Sequence, residues 1–141
     1  MASAFVDTNI VLRHILQDHE DHSPRASALM ERIESGEIVV RISDTVVFES
    51  VFSLEKTFKV ARDNIAEALL PIIGLPAVEL PGKSSYHEVF ELWIRYRGLS
   101  FADCFHAVCA NQFTDGVVYS FDHGFDRVPG NVRKEPGTDG K

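Results

Sequence analysis

The sequence predicts an α/β fold, a three-layer α/β/α sandwich around a central, mainly parallel sheet of four or five strands. Three observations predict it. Short apolar runs stand at Ala4-Phe5-Val6, at the β-branched Ile38-Val39-Val40 and at Val117-Val118-Tyr119. Longer stretches with helical apolar spacing separate them. Parallel neighbours need long, usually helical crossovers, so strands that alternate with helices imply a parallel sheet covered by helices.

Each element has its own signal. Ala4-Phe5-Val6 ends at Asp7-Thr8-Asn9, after which Ile10, Val11, Ile15 and Leu16 begin a helical pattern, so the start reads as strand, loop, helix. Ser23 as N-cap and Pro24 at the first helical position predict a second helix, stopped at Ser35-Gly36. Glu37 to Ile42 is the next strand. Ser43, Asp44 and Thr45 offer N-caps for a helix through Phe58, with Val47, Val51, Leu54 and Phe58 on its buried face. A helix from Asp63 to Ile73 ends at Gly74 and Pro76, and Ala77 to Leu80 is a short strand or extended link. Ser84 or Ser85 caps a helix through Tyr96, which Gly98 stops. Ser100-Phe101-Ala102-Asp103 has capping-box spacing and opens a helix to about Phe113. Gly116 to Phe121 is the last strand, ending in Asp122 and a glycine-containing loop.

The chain has 141 residues, 45% of them apolar, which suits one domain over 1–135 with its own core. The Gly- and polar-rich 136–141 reads as a disordered tail. No apolar run reaches the roughly 18 residues that span a bilayer, and the N-terminus lacks a signal peptide's basic flank and cleavage site. A cytoplasmic protein with no membrane association is the expectation. Cys104 and Cys109 point about 140° apart on a helix, so no disulfide between them is expected.

A net charge of −7 at first argues against a nucleic-acid partner. Acids gathered around a divalent cation would remove that objection, because the ion offsets their charge. In an open parallel sheet the ligand site lies beyond the carboxyl ends of the strands, where Asp7 and Asp122 stand. Asp103 opens a helix near that edge and Glu49 lies early in another, so four carboxylates are expected in one cleft. Hard oxygen ligands without a complete Cys or His set favour magnesium or manganese; His19 and His22 lack the further partners zinc needs. The chemistry implied is phosphoryl transfer to water, with one carboxylate orienting or deprotonating that water.

Each acid also has an ordinary reading. Asp103 completes a capping box, Asp7 caps the helix after it, and Asp122 sits where a strand-to-loop turn often places aspartate. Glu49, flanked at helical spacing by Val46 and Phe52, would be costly there unless something pairs with it, or would be solvated. Asp126, four residues after Asp122, is a supporting candidate through water. Arg13, His14, Arg95, Arg97 and Arg127 are the cations nearest these segments, and His106 lies one turn after Asp103. Phe48, Phe52, Phe58, Phe90 and Trp93 recur at helical spacing and read as core or dimer interface rather than base-stacking platforms.

With these residues in place, the chain resembles the PIN-domain family, and especially its VapC-like toxin members. Phe5-Val6-Asp7-Thr8-Asn9-Ile10 resembles the family's first strand and leading aspartate, with Asn9 as its polar neighbour. Val47-Phe48-Glu49-Ser50-Val51 resembles the helix carrying the site glutamate. Ser100 to Ala107 is similar to the segment supplying the third acid, Asp103, and Tyr119 to Asp126 to the one supplying the fourth, Asp122, with Ser120 at the hydroxyl position. The resemblance covers most of the chain. It implies a magnesium- or manganese-dependent endoribonuclease that hydrolyses RNA phosphodiester bonds, with Asp7, Glu49, Asp103 and Asp122 as catalytic acids and metal ligands. It further implies a homodimer, and a toxin that inhibits translation and is blocked by a cognate antitoxin.

Two other acidic-pocket enzymes fit less well. An aspartyl-phosphate phosphatase needs an acid where Asn9 stands, and a phosphorelay receiver needs a lysine on the strand Val117 to Phe121. The alternative with the same fold is a non-catalytic RNA- or protein-binding module.

Overall fold

Local capping chemistry fixes where the helices around the strand ends begin. In the computed structural model, which describes residues 1–137, the chain divides into two compact units, Met1–Ser84 and Ser85 onward. The first contains β1 (Ala4–Phe5), α1 (Thr8–Leu16), α2 (His22–Glu34), β2 (Val40–Arg41), α3 (Asp44–Phe52), α4 (Arg62–Ile73) and β3 (Val78–Glu79). Ser43 caps α3 as expected, its hydroxyl accepting from the Val46 N–H at 3.3 Å. The α2 expectation needs correction. That helix starts at His22, and Ser23 lies inside it, buried, with its hydroxyl accepting from the His19 N–H at 3.1 Å. His19 Nδ1 accepts instead from the Asp21 and His22 N–H groups at the helix start, so an imidazole supplies the cap that Ser23 was expected to give.

Parallel pairing orders the strands of this unit β1-β2-β3, with Ala4, Val40 and Val78 in register. Bonds from Val6 N to Arg41 O and from Ile42 N to Glu79 O carry the ladder one residue further. Met30, Ile33, Val40, Leu54, Ile65 and Val78 are fully buried and form the core. On α3, Val47 and Val51 are buried as the spacing requires, and so is Leu54 just after it, but Phe58 is 44% exposed. A π-helical turn over Ser53–Thr57 separates them, and its wider i→i+5 pitch rotates Phe58 off the buried face.

The second unit holds α5 (Tyr86–Arg95), α6 (Phe101–Phe113), β4 (Val117–Tyr119) and β5 (Val132–Lys134). Rings join its two helices: Phe90 and Phe101 lie 4.8 Å apart by centroid, and Trp93 meets Phe101 edge-on at 5.4 Å, a favourable geometry for aromatic pairs. β4 pairs with β5 in parallel, Val117 opposite Val132. The α/β class and its parallel strands are as expected; among the described residues the five strands are hydrogen-bonded as a group of three and a group of two. β5 has no counterpart in the sequence reading. It is held by tertiary bonds, with Asn131 Nδ2 donating to Ala107 O and Asn111 Oδ1, and Asn111 Nδ2 donating to Pro129 O.

No disulfide joins Cys104 and Cys109. Among the described residues no helix is long and apolar enough to cross a membrane. The tail expected to be disordered begins at Pro136 and Gly137, which form a turn, and its remaining residues, 138–141, lie outside the described residues.

Candidate metal centre

Buried Val6 closes β1, and the chain leaves the strand through Asp7 in an extended conformation (φ −84°, ψ 162°) that makes it the N-cap of α1. Asp7 Oδ1 accepts from the Thr8 N–H at 2.8 Å, so the capping reading of Asp7 holds geometrically. Thr8 then reaches the next acid: its hydroxyl donates to Glu49 Oε1 at 2.6 Å. Glu49 is exposed on α3, so the desolvation cost expected from its apolar neighbours does not arise. Asn9, also exposed, lines a groove of about 550 Å³ between α1 and α2, together with Arg13, His22 and Arg25 over Ile10 and Leu29.

In the second unit, Ser100 caps α6 by accepting from the Asp103 N–H at 3.1 Å. The reciprocal half of a capping box, in which the Ser100 N–H donates to the Asp103 carboxylate, is not formed among the described residues, so that half-buried carboxylate is not committed to the cap. Past β4, the Ser120 hydroxyl accepts from the Asp122 N–H at 2.9 Å, and Asp122 Oδ1 accepts from the Gly124 N–H at 2.8 Å. These bonds fold the strand end into a turn that presents Asp122 to solvent.

Asp126 is placed differently. Oδ1 accepts from Arg133 Nε at 3.2 Å, and Oδ2 lies 3.3 Å from His123 Nδ1. Burial pushes its carboxyl up, but hydrogen bonds and charge from Arg133 and His123 outweigh this and hold it below the usual carboxylate range. Arg133, only 11% exposed, also donates to the Ser120 carbonyl at 3.0 Å and to Glu135 at 2.7 Å. The guanidinium therefore clamps the loop on which Asp122 sits.

The local bonds follow one pattern. Asp7, Glu49 and Asp122 each use one carboxylate oxygen in a hydrogen bond that fixes the side chain, leaving the other oxygen unengaged among the described residues. None of the four acids has a cation partner there, although Asp18, Asp21, Glu37, Glu55, Glu79 and Glu91 all do. Uncompensated hard oxygen donors, with the Asn9 amide and Ser120 hydroxyl nearby in sequence, fit magnesium or manganese by their chemistry. Within neither unit do three His, Cys, Asp or Glu side chains of the described residues stand close enough to hold a metal ion. The structure thus brings Asp7 and Glu49 together through Thr8, and Asp122 together with Ser120.

Two residues that sequence reasoning passed over are Thr8 and Arg133. Thr8 had one available signal, a hydroxyl directly after a strand-end aspartate. Arg133 had none, since it lies on β5, a strand that no pattern announced.

The family model for the PIN domain matches residues 4–131, most of the chain, and the chain belongs to the PIN-domain family. That family is generally a nuclease fold, and its members typically use divalent metal ions. No curated protein matches the chain significantly.

Proposed function

We propose that the chain is a metal-dependent endoribonuclease that hydrolyses RNA phosphodiester bonds, with Asp7, Glu49, Asp103 and Asp122 as its catalytic acids and metal ligands. The observation that carries this reading is the set of acids without cation partners, three of them with one oxygen fixed and one left open. When bound, magnesium or manganese supplies Lewis acidity that makes water a better nucleophile and offsets charge on the phosphate.

The chain's own residues do the positioning. Thr8 fixes Glu49 through Oε1, so Oε2 is the oxygen free to orient water or accept its proton. Asn9 and Ser120 act as polar supports, Ser120 through its hold on the Asp122 backbone. Asp126 supports the centre through the Arg133 clamp rather than through an open carboxylate oxygen.

The family resemblance also supports a biological role. We take the chain as a cytoplasmic toxin that acts as a homodimer, cleaves RNA to inhibit translation, and is restrained by a cognate antitoxin. The test is incubation of the purified chain with total bacterial RNA and magnesium or manganese. Discrete fragments that disappear with chelator support the reading. RNA bound without cleavage by the folded protein would instead favour a non-catalytic binding module.

A further inference from the structure

Phe52 is 64% exposed, whereas Val47 and Val51 on the same helix are buried. Its ring contacts no other ring among the described residues. Phenylalanine has only middling helix propensity, so propensity does not account for so exposed a ring at this position. It follows Glu49 by three residues, which makes the two side chains surface neighbours, with Cβ atoms about 5–6 Å apart. Helical side chains lean toward the helix N-terminus, and this carries the ring over the turn that bears Glu49.

Phe58, Phe113 and Phe121 lack this placement. Phe58 lies beyond the π-helical turn, and Phe113 ends α6, far along the helix from Asp103. Phe121 lies in the bend that precedes Asp122 and shares no helix face with a site acid.

We propose that Phe52 is a base-stacking platform, which seats the base of a single-stranded RNA nucleotide beside the phosphate that Glu49 serves. This rests on the nuclease reading above. A base fits better than a protein surface for a physical reason: an apolar interface closing over Phe52 would also cover its neighbour Glu49, burying a carboxylate without a cation. A stacked base covers the ring and leaves Glu49 open to solvent and metal. Stacking needs only a π face, so it grips the strand with little regard for base identity.

The test uses the whole chain and its Phe52→Ala, Phe52→Leu and Phe52→Trp variants, with short mixed-sequence single-stranded RNA carrying 2-aminopurine. Fluorescence anisotropy reads binding and 2-aminopurine quenching reads stacking, while cleavage and sedimentation are followed separately. Alanine and leucine should both weaken binding, by about 5- to 150-fold for one lost stack, and abolish the quenching; tryptophan should restore both. Binding and quenching unchanged in all variants would overturn the proposal even if the RNA is cleaved. So would a dimer that dissociates with alanine but persists with leucine while RNA binding is unaffected, since that marks an interface between copies. Quenching that depends on Phe52 without any cleavage would uphold the platform and remove the nuclease reading. Absence of RNA binding by the unaltered chain would remove both.

Discussion

Thr8 Oγ1 donates to Glu49 Oε1 at 2.6 Å across 41 residues of sequence, tying the first residue of α1 to the exposed face of α3. A hydrogen bond to a charged acceptor contributes about 1.5–3 kcal/mol, enough to decide which Glu49 oxygen faces outward. Thr8 is thus a positioning residue, and Thr8→Val keeps its shape while removing the bond. Manganese affinity measured by calorimetry should fall about 10- to 100-fold, with Thr8→Ser restoring it. A Val variant that binds manganese like the parent would show that the bond serves packing alone.

Acids without cation partners can be neutralised without stranding a charge. Glu49→Gln and Asp122→Asn keep an amide oxygen as acceptor for the Thr8 and Gly124 donors, so each should cost no more than about 1.5 kcal/mol of thermal stability. Manganese should stabilise the parent, by about 2.7 kcal/mol at 100 times its Kd, and stabilise each variant less. Melting curves with and without manganese check both statements, and equal stabilisation of all three proteins would contradict the assignment.

The Arg133–Asp126 pair has an acid-side signature. Asp126 is held below the usual carboxylate range when folded, so its contribution is fully present above about pH 4, the unfolded value, and is lost as pH falls through the folded value. Asp126→Asn should therefore lower stability at neutral pH and flatten the acid limb of the stability profile. Arg133→Met should lower Tm by a few degrees and loosen the Ser120–Asp122 turn, since it removes the donor to the Ser120 carbonyl. Melting curves from pH 7 downward test the pair.

Gly116 opens β4 at φ +87°, and a Cβ there would stand 2.2 Å from the Gly130 carbonyl oxygen, at the approach to β5. Gly116→Ala combines left-handed strain with a backbone overlap and should cost roughly 3 kcal/mol. Chemical denaturation measures it, and a change under about 1 kcal/mol would mean that the β4–β5 pair yields easily.

Much of this arrangement was legible because it is local. Ser43 and Ser100 cap their helices through their own backbone neighbourhoods, and Asp7 and Asp122 follow apolar strands that any periodicity reading finds. What failed was non-local or set by neighbours. Ser23 looked like a cap, but His19 Nδ1 already occupies that role. Phe58 followed the helical spacing until the π-helical turn broke the period. β5 carries a single apolar residue, Val132, and exists by pairing with β4 and through two asparagines. Glu49 was singled out on the expectation of an apolar setting, yet its exposure and its bond to Thr8 distinguish it instead.

The central claim is that the four acids serve one metal-dependent cleavage of RNA. Its most direct test is the cleavage rate of a single RNA substrate with magnesium, for the parent chain and for Asp7→Asn, Glu49→Gln, Asp103→Asn and Asp122→Asn, each first shown to be folded. The account predicts that every variant loses at least about 100-fold in rate and that chelator abolishes the parent's activity. Cleavage that survives chelator, or a variant of any one acid that cuts at the parent's rate, would contradict it.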